Sequence, residues 1–523
     1  MSSQLSRRSL LVSLGVGAGT IGAGLLLAAC GGSAGVTATS ATTTPASSAA
    51  ATAAVSTSSA TSAAPSTSTA AATSTTAAAA TTTSTTAPAA TTTSVSTSAP
   101  ATTASVSAAT TAPSRAAVTI TWLNDYAGPV KSFNQEILPA FMAEHPNIKV
   151  ENDAVPFGGI GQAGGSAEKI LTTAAGGTGA DVYRTNARWA RAFIPKGVAL
   201  RLDDLIARNK FDMSKITPNS LKLFSDASGK VYGLPDEVAV WTTVYAPSLY
   251  RDNGVPLPST TWKASDLLAA AQALTKRSGG KLQSAGWANL PDPSAEIFEG
   301  FLTANGGSYL SKDLTKSEIN SAQNIEVLQF WGDLQNKYHV IPSAAEWKDL
   351  GAPGYPPPGF YDGKVGGFIG GAWNIPPIHQ HAHVDLTFHE LPQFSQKGNA
   401  LGGGGEAIFP FTKYPDESFT FLMFYMTPKA QLMIGKATGA LPYQSDVLRQ
   451  YLQALPTPPS DVATMANSLS YAVAPSACLS GKWDTLNQPL QKLLNAAWQK
   501  NTSIKDALDE VKRLQDAILA SPA

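Results

Sequence analysis

Every phenylalanine, tyrosine and tryptophan of this 523-residue chain lies beyond residue 116. That one asymmetry limits what can fold. From Ser33 to Ala116 the chain is almost entirely Ser, Thr and Ala, with a few Pro and Val, and Arg115 is its only charge. Such a composition cannot bury enough apolar surface to offset the entropy of ordering the chain. Residues 31–116 are therefore expected to be a disordered stalk, spanning roughly 50 Å as a flexible coil. A packed core has to come from residues 117–523, about 400 residues, enough for two lobes.

The start of the chain carries a second signal. Arg7 and Arg8 precede an uncharged, Leu-, Gly- and Ala-rich run that ends "LLLAACGGSAG". A positive segment, an apolar segment and small residues at a cut site make an export signal. Residues 1–30 resemble a twin-arginine-type lipoprotein signal peptide ending at the lipobox, which implies Cys30 as the lipid-attachment residue. The alternative is an uncleaved membrane helix, and the run is long enough for one. Both readings leave the arginines inside the cell and the rest outside, held to the outer face of the cell membrane.

Charge narrows the partners. Without Arg7, Arg8 and Arg115, the 37 basic residues fall to 34 against 37 acidic ones. No basic field exists for a nucleic-acid backbone, so no nucleic-acid partner is expected. Cys478 has no partner once Cys30 is lipidated, and reads as a small buried hydrophobe. No phosphate-cradling G-x-x-x-x-G-K-S/T motif is present.

Within the folded part, strand and helix patterns alternate. "VTITWL" (118–123) is a short β-branched strand, followed after Pro129 by a helix with Phe133, Ile137 and Phe141 at four-residue spacing. "IKVEN", a helix over 166–175, "ADVYRT" (180–185) and a helix ending at Gly197 continue the order. That order implies a parallel sheet, with ligands beyond the carboxyl ends of its strands. A long strand is expected over 238–245, helices over 264–275, 294–305 and 317–338, and a strand over 364–369 before a helix near Trp373. "VDLTFHELP" and "EAIFPF" read as strands, and amphipathic helices fill the remainder.

Taken together, "ITWLNDYAGP", "GADVYRTNARWARAFIPKG", "GKVYGLPDEVAVWTTVYAPSLYRDNGV", "FYDGKVGGFIGGAW" and "GGGGEAIFPFTKYPDESFTFLMFYMTPKAQ" resemble the maltose-binding-protein-like extracellular solute-binding proteins of carbohydrate ABC importers. The resemblance spans the whole folded part. It implies an α/β fold, periplasmic-binding-protein-like type II: two α/β lobes joined by crossover hinge segments, with a ligand cleft between them. The N-terminal lobe would comprise 117–238 and 404–437, and the C-terminal lobe 239–403 and 438–523. Crossings are implied near 236–241, 402–406 and 437–441. The glycine run 402–405 fits either a hinge with close backbone approach or a plain tight loop.

A sugar presents hydroxyl edges and flat C–H patches, so its site needs two-way hydrogen-bonding side chains and aromatic faces. The resemblance places Asp125 and Tyr126 after the first strand, and Asn186 and Arg188 after the third, at the ligand. The alternatives are a helix cap for Asp125 and a surface charge for Arg188, while Trp189 fits core or site. Glu237, Ala239 and Trp241 share a face at strand period; Glu237 would accept from hydroxyls and Trp241 would stack. Trp373, in the family's "G-x-W" position, is the leading stacking candidate. Trp287, Glu296 and Trp483 lie in regions that reach the cleft in relatives.

"IHQHAHVDLTFHE" opens another possibility. On a strand, His379, His381 and His383 would share a face and suit zinc; solvated polar residues are the preferred reading, with no metal and no cofactor. The expected function is carbohydrate capture by lobe closure, without turnover, as a monomer delivering to permease transmembrane subunits driven by a separate ATPase. The rivals are a surface glycan-acting hydrolase with two opposed carboxylates, a stalked adhesin, and a binding protein for a non-sugar solute.

Overall fold

The computed structural model describes residues 116–521 except 127, 160–162, 292–293, 352–355 and 357. The export signal, Cys30 and the stalk to residue 115 lie outside the described residues.

Among the described residues, ten strands form three sheets. They are β1 (Val118–Asn124), β2 (Ile148–Ala154), β3 (Val182–Asn186), β4 (Leu234–Pro235), β5 (Thr242–Tyr245), β6 (Lys276–Ser278), β7 (Lys281–Ser284), β8 (Gly367–Gly370), β9 (Thr387–His389) and β10 (Gly404–Ile408). The first sheet runs β2-β1-β3-β10-β4; its first three strands are parallel, and β10 is antiparallel to both neighbours. The second sheet, β8-β5-β9, is antiparallel, and β6-β7 is a separate hairpin.

The apolar periodicity of the first helical segment has its expected effect. Phe133, Ile137 and Phe141 are all buried, and Trp122 of β1 meets Phe133 edge-on at 5.3 Å. The helix is not uniform: a π-helical stretch, Phe133–Ile137, separates Val130–Ser132 from Leu138–Glu144. Among the described residues no helix is long and apolar enough to cross a membrane.

Three expectations need correction. The strand over 238–245 is split: only Thr242–Tyr245 belongs to a sheet, while Val238 and Ala239 make single bridges to Leu441 and Gly402. The chain is passing between sheets there, so no ladder can continue. The helix expected over 317–338 starts later, at Ala322, because the Ser321 side chain accepts from the Asn324 N–H and fixes the first turn. The segment holding His379 and His381, expected as solvated residues in a loop entering a strand, is a helix, Ile375–His381, opened by Pro376 and Pro377 at its first turn. At 100° per residue His379 and His381 lie about 200° apart, and His383 beyond the helix meets Asp362 at 2.8 Å.

Residues 236–241, 400–404 and 439–441 thus run side by side between the two larger sheets. Val238 N–H donates to Leu441 O at 3.0 Å, and Ala239 and Gly402 exchange backbone bonds at 3.0 and 2.8 Å. The glycine run is dictated by close approach. Gly403 has φ +134°, and a Cβ there would fall 2.5 Å from Glu237 O; one on Gly404 would fall 2.1 Å from an Arg184 guanidinium nitrogen.

Candidate functional site

The carboxyl ends of β1 and β3 and the amino end of β10 converge, since Gly404 is registered opposite Asn186. At that point sits a residue that the sequence reading did not single out, Arg184. Its guanidinium contacts Asp125 at 2.6 Å, Asp236 at 2.9 Å and Glu237 at 2.7 Å, and lies 3.7 Å from the centroid of the Tyr126 ring. Tyr126 in turn donates its hydroxyl proton to Glu237 at 2.6 Å. Burial pushes the Asp125 carboxyl up, despite the opposing pull of Arg184. Burial also pushes Asp236 up to about 7 against the pull of Arg184, while Glu237 adds to the rise. The signal for Arg184 was present in "ADVYRT": an arginine inside an apolar strand is rarely buried unpaired.

Asp125 therefore turns inward to Arg184, and the first helical segment has no side-chain cap. Glu237 keeps some exposure, 15% of its side chain. Asn186 ends β3 by capping the Ala187–Phe193 helix, its Oδ1 accepting from Arg188 N–H at 3.1 Å. That cap aims Arg188 across to the other side of the molecule. There it pairs with Glu296, at the start of the Ala295–Ala304 helix, and lies 5.0 Å from the centroid of the Trp483 ring. Trp483 Nε1–H donates to the other Glu296 oxygen at 2.7 Å. Glu296, Arg188 and Trp483 are one unit.

Two cavities flank Arg188. One, of about 300 Å³, is walled by Arg188, Trp241, Asn289, Ile297, Ile369 and Trp373. Trp241 and Trp373 meet edge-to-face at 4.9 Å. Asn399, fully buried, clamps the Trp241 backbone from both sides, accepting at 3.1 Å and donating at 2.7 Å. Trp373 folds back over Gly371, where a Cβ would fall 2.3 Å from its ring. The second cavity, of about 390 Å³, has Phe157, Trp189 and Trp483 as aromatic walls and Asp484, Asn487 and Gln491 as polar ones. Phe157, Asn289, Asp484, Asn487 and Asn399 were not singled out from sequence. Their only shared property is their place in three dimensions. Trp287 is core: it is buried and sits beside Trp331, with ring centroids 6.1 Å apart.

Comparisons with known proteins bear on the family and the fold. A family model described as bacterial extracellular solute-binding protein matches residues 136–467. A putative binding protein of Brucella abortus is 28% identical over 160 residues, which is 30% of this chain and 35% of that protein. The chain thus matches about a third of the length of such relatives. The diacetylchitobiose binding protein DasA of Streptomyces coelicolor is 24% identical over 339 residues, 63% of this chain and 74% of its own. Among solved structures, the ABC substrate-binding protein Lmo0181 of Listeria monocytogenes, in complex with cycloalternan, superposes with a TM-score of 0.66. It is 24% identical and covers 77% of this chain and 99% of its own. The fold is the one expected: type II, two α/β lobes joined by crossover segments, with a cleft between them.

Proposed function

The chain belongs to the bacterial extracellular solute-binding proteins, and from that premise we propose that it captures a carbohydrate in the cleft and hands it to an ABC importer. The observation that carries this reading is the pair of cavities sharing Arg188. Both combine tryptophan walls with two-way hydrogen-bonding side chains, the chemistry that a sugar's C–H patches and hydroxyl edges require. DasA, by its name, binds diacetylchitobiose, and Lmo0181 was solved with cycloalternan; both support a sugar for this chain.

The lobes we assign are 117–238 with 404–437, and 239–403 with 438–523. Closing them around a sugar shifts a population toward the form that docks on the permease transmembrane subunits, while a separate ATPase drives import. The ligand leaves chemically unaltered. Cys30 carries the lipid that holds the protein, as a monomer, to the outer face of the membrane, where at least two acyl or other anchoring signals make binding firm. The residues we assign to the ligand are Trp241, Trp373, Trp483, Arg188 and Glu296, with Asp125, Tyr126, Asn186 and Glu237 behind them.

A thermal-shift screen of the full-length protein against mono- and oligosaccharides tests this, because bound ligand raises apparent stability by mass action. At least one neutral sugar is expected to raise the melting temperature, with no new reducing ends after prolonged incubation. Hydrolysis of the sugar, or a shift with non-sugar solutes alone, would overturn it.

A further inference from the structure

Four carboxylates crowd one guanidinium at the crossings. Arg184 contacts Asp125, Asp236 and Glu237, and Glu406 lies directly opposite Arg184 in the β3–β10 register. Arg184, Asp125, Asp236 and Glu406 are all at least 95% buried. Fully ionised, the group would carry a large uncompensated negative charge away from water, and buried like charges do not all remain ionised.

Hydrogen bonding indicates where the compensating proton sits. Asp236 Oδ2 accepts from Arg184 Nε–H at 2.9 Å, and Glu406 Oε2 accepts from Trp122 Nε1–H at 2.9 Å. The second oxygen of each, Asp236 Oδ1 and Glu406 Oε1, is buried without a hydrogen-bond partner among the described residues. Glu406 is registered opposite Leu234 on β4, and Asp236 follows two residues on, its N–H donating to Gly404 O at 3.1 Å. The two are therefore diagonal neighbours on one sheet face, within mutual reach. A proton between them turns two orphan acceptors into a donor and an acceptor.

We propose that Asp236 and Glu406 share one proton, and that this bond, tying the first crossing to the second, lets Arg184 act as the positioning residue that holds Asp125, Tyr126 and Glu237 at the cleft. Burial raises both carboxyls, Glu406 most strongly; Asp236 adds to the rise of Glu406, and Glu237 to that of Asp236. The other ionisable groups facing the pair are Asp125 and Tyr126 after β1, Glu237 beside Asp236, and Tyr425 on the Pro415–Tyr425 helix. The positioning role rests on the cleft being the carbohydrate site; the shared proton does not.

The sign follows from linkage. An acid whose folded-state value lies above its unfolded value binds more protons in the native state, so its contribution is greatest at low pH. It is lost as pH rises from the ordinary carboxyl range toward 7 and beyond. Three measurements on full-length protein test the proposal. Infrared spectra of the ligand-free wild type at pH 8 should retain a protonated-carboxyl C=O band that Glu406→Gln lacks. The melting temperature of the wild type should fall more between pH 5 and 8.5 than that of Glu406→Gln, whose amide donates permanently to Asp236; Asp236→Asn should behave likewise. With diacetylchitobiose and maltotriose as probes, Glu406→Gln should bind as the wild type does at pH 6 and more tightly at pH 8.5, while Arg184→Lys loses about tenfold or more at both. Identical pH slopes in wild type and both neutral variants, or no carboxyl band, would refute the shared proton. If neither sugar binds the wild type while the ligand-free results hold, the positioning role falls and the shared proton stands.

Discussion

Removing Arg188 should unlatch the cleft. Glu296 is 4% exposed at its side chain, Arg188 is 21% exposed, and among the described residues Trp483 also donates to that carboxylate, at 2.7 Å. Arg188→Ala therefore leaves a buried negative charge with one neutral N–H to satisfy it. Stripping one member from a fully buried pair costs about 3–5 kcal/mol; because Arg188 keeps a fifth of its exposure, about 2–3 kcal/mol is the reasonable figure. Glu296→Gln keeps the volume and the Trp483 hydrogen bond, and should cost about 1 kcal/mol. In the double variant the stranded charge is gone, so its loss should be smaller than the sum of the single losses by about 1–2 kcal/mol. Urea denaturation of the four proteins at pH 7.5 closes the cycle. Since Arg188 follows β3 of the first sheet and Glu296 belongs to the segment between β7 and β8, small-angle scattering of ligand-free Arg188→Ala should also show a larger radius of gyration. Additive losses within about 0.5 kcal/mol would refute the reasoning, because they would mean that water already solvates Glu296.

Other outcomes follow from the same geometry. Gly404→Ala, whose Cβ would meet the Arg184 guanidinium at 2.1 Å, should cost about 2–4 kcal/mol in urea denaturation, combining overpacking with a disturbed ion cluster. Trp373→Ala should abolish every sugar hit of the thermal-shift screen; unchanged binding by calorimetry would remove Trp373 from the site. Glu299, pushed up to about 7 chiefly by burial, is bound more readily by protons in the folded state, so it weakens the fold as pH rises from about 4 to 7. Glu299→Gln should accordingly be relatively more stable at pH 8 than at pH 5, read as melting temperature. Cys478, 2% exposed and with its thiol pushed well up by burial, should resist thiol reagents until the protein is denatured.

Much of the architecture was legible because its causes are local. Phe133, Ile137 and Phe141 fall on one helical face at four-residue spacing, and that face is the buried one. Alternating strand and helix patterns specify parallel pairing of β1 with β2 and β3, since only a crossover can join such strands. Where local pattern and tertiary position diverge, the reading slips. "VAVWTTVY" has strand chemistry throughout, yet its first half crosses between sheets, a fact carried by Leu441 and Gly402 and not by its own residues. The histidine segment, expected as a loop entering a strand, is instead started as a helix by two prolines in its first turn.

The composition of the chain alone settles where a core can exist, because apolar and aromatic surface must be present before it can be buried. It also determines which helix faces turn inward and which residues end each element. Tertiary structure alone brings Arg184 to its carboxylates, aims Arg188 between two cavities, and places Asn399 behind Trp241. These contacts join residues 52 to 158 positions apart. Local propensity carries no information about such pairs; they exist because separate strands end at the same place, and burial leaves each charge there dependent on the others.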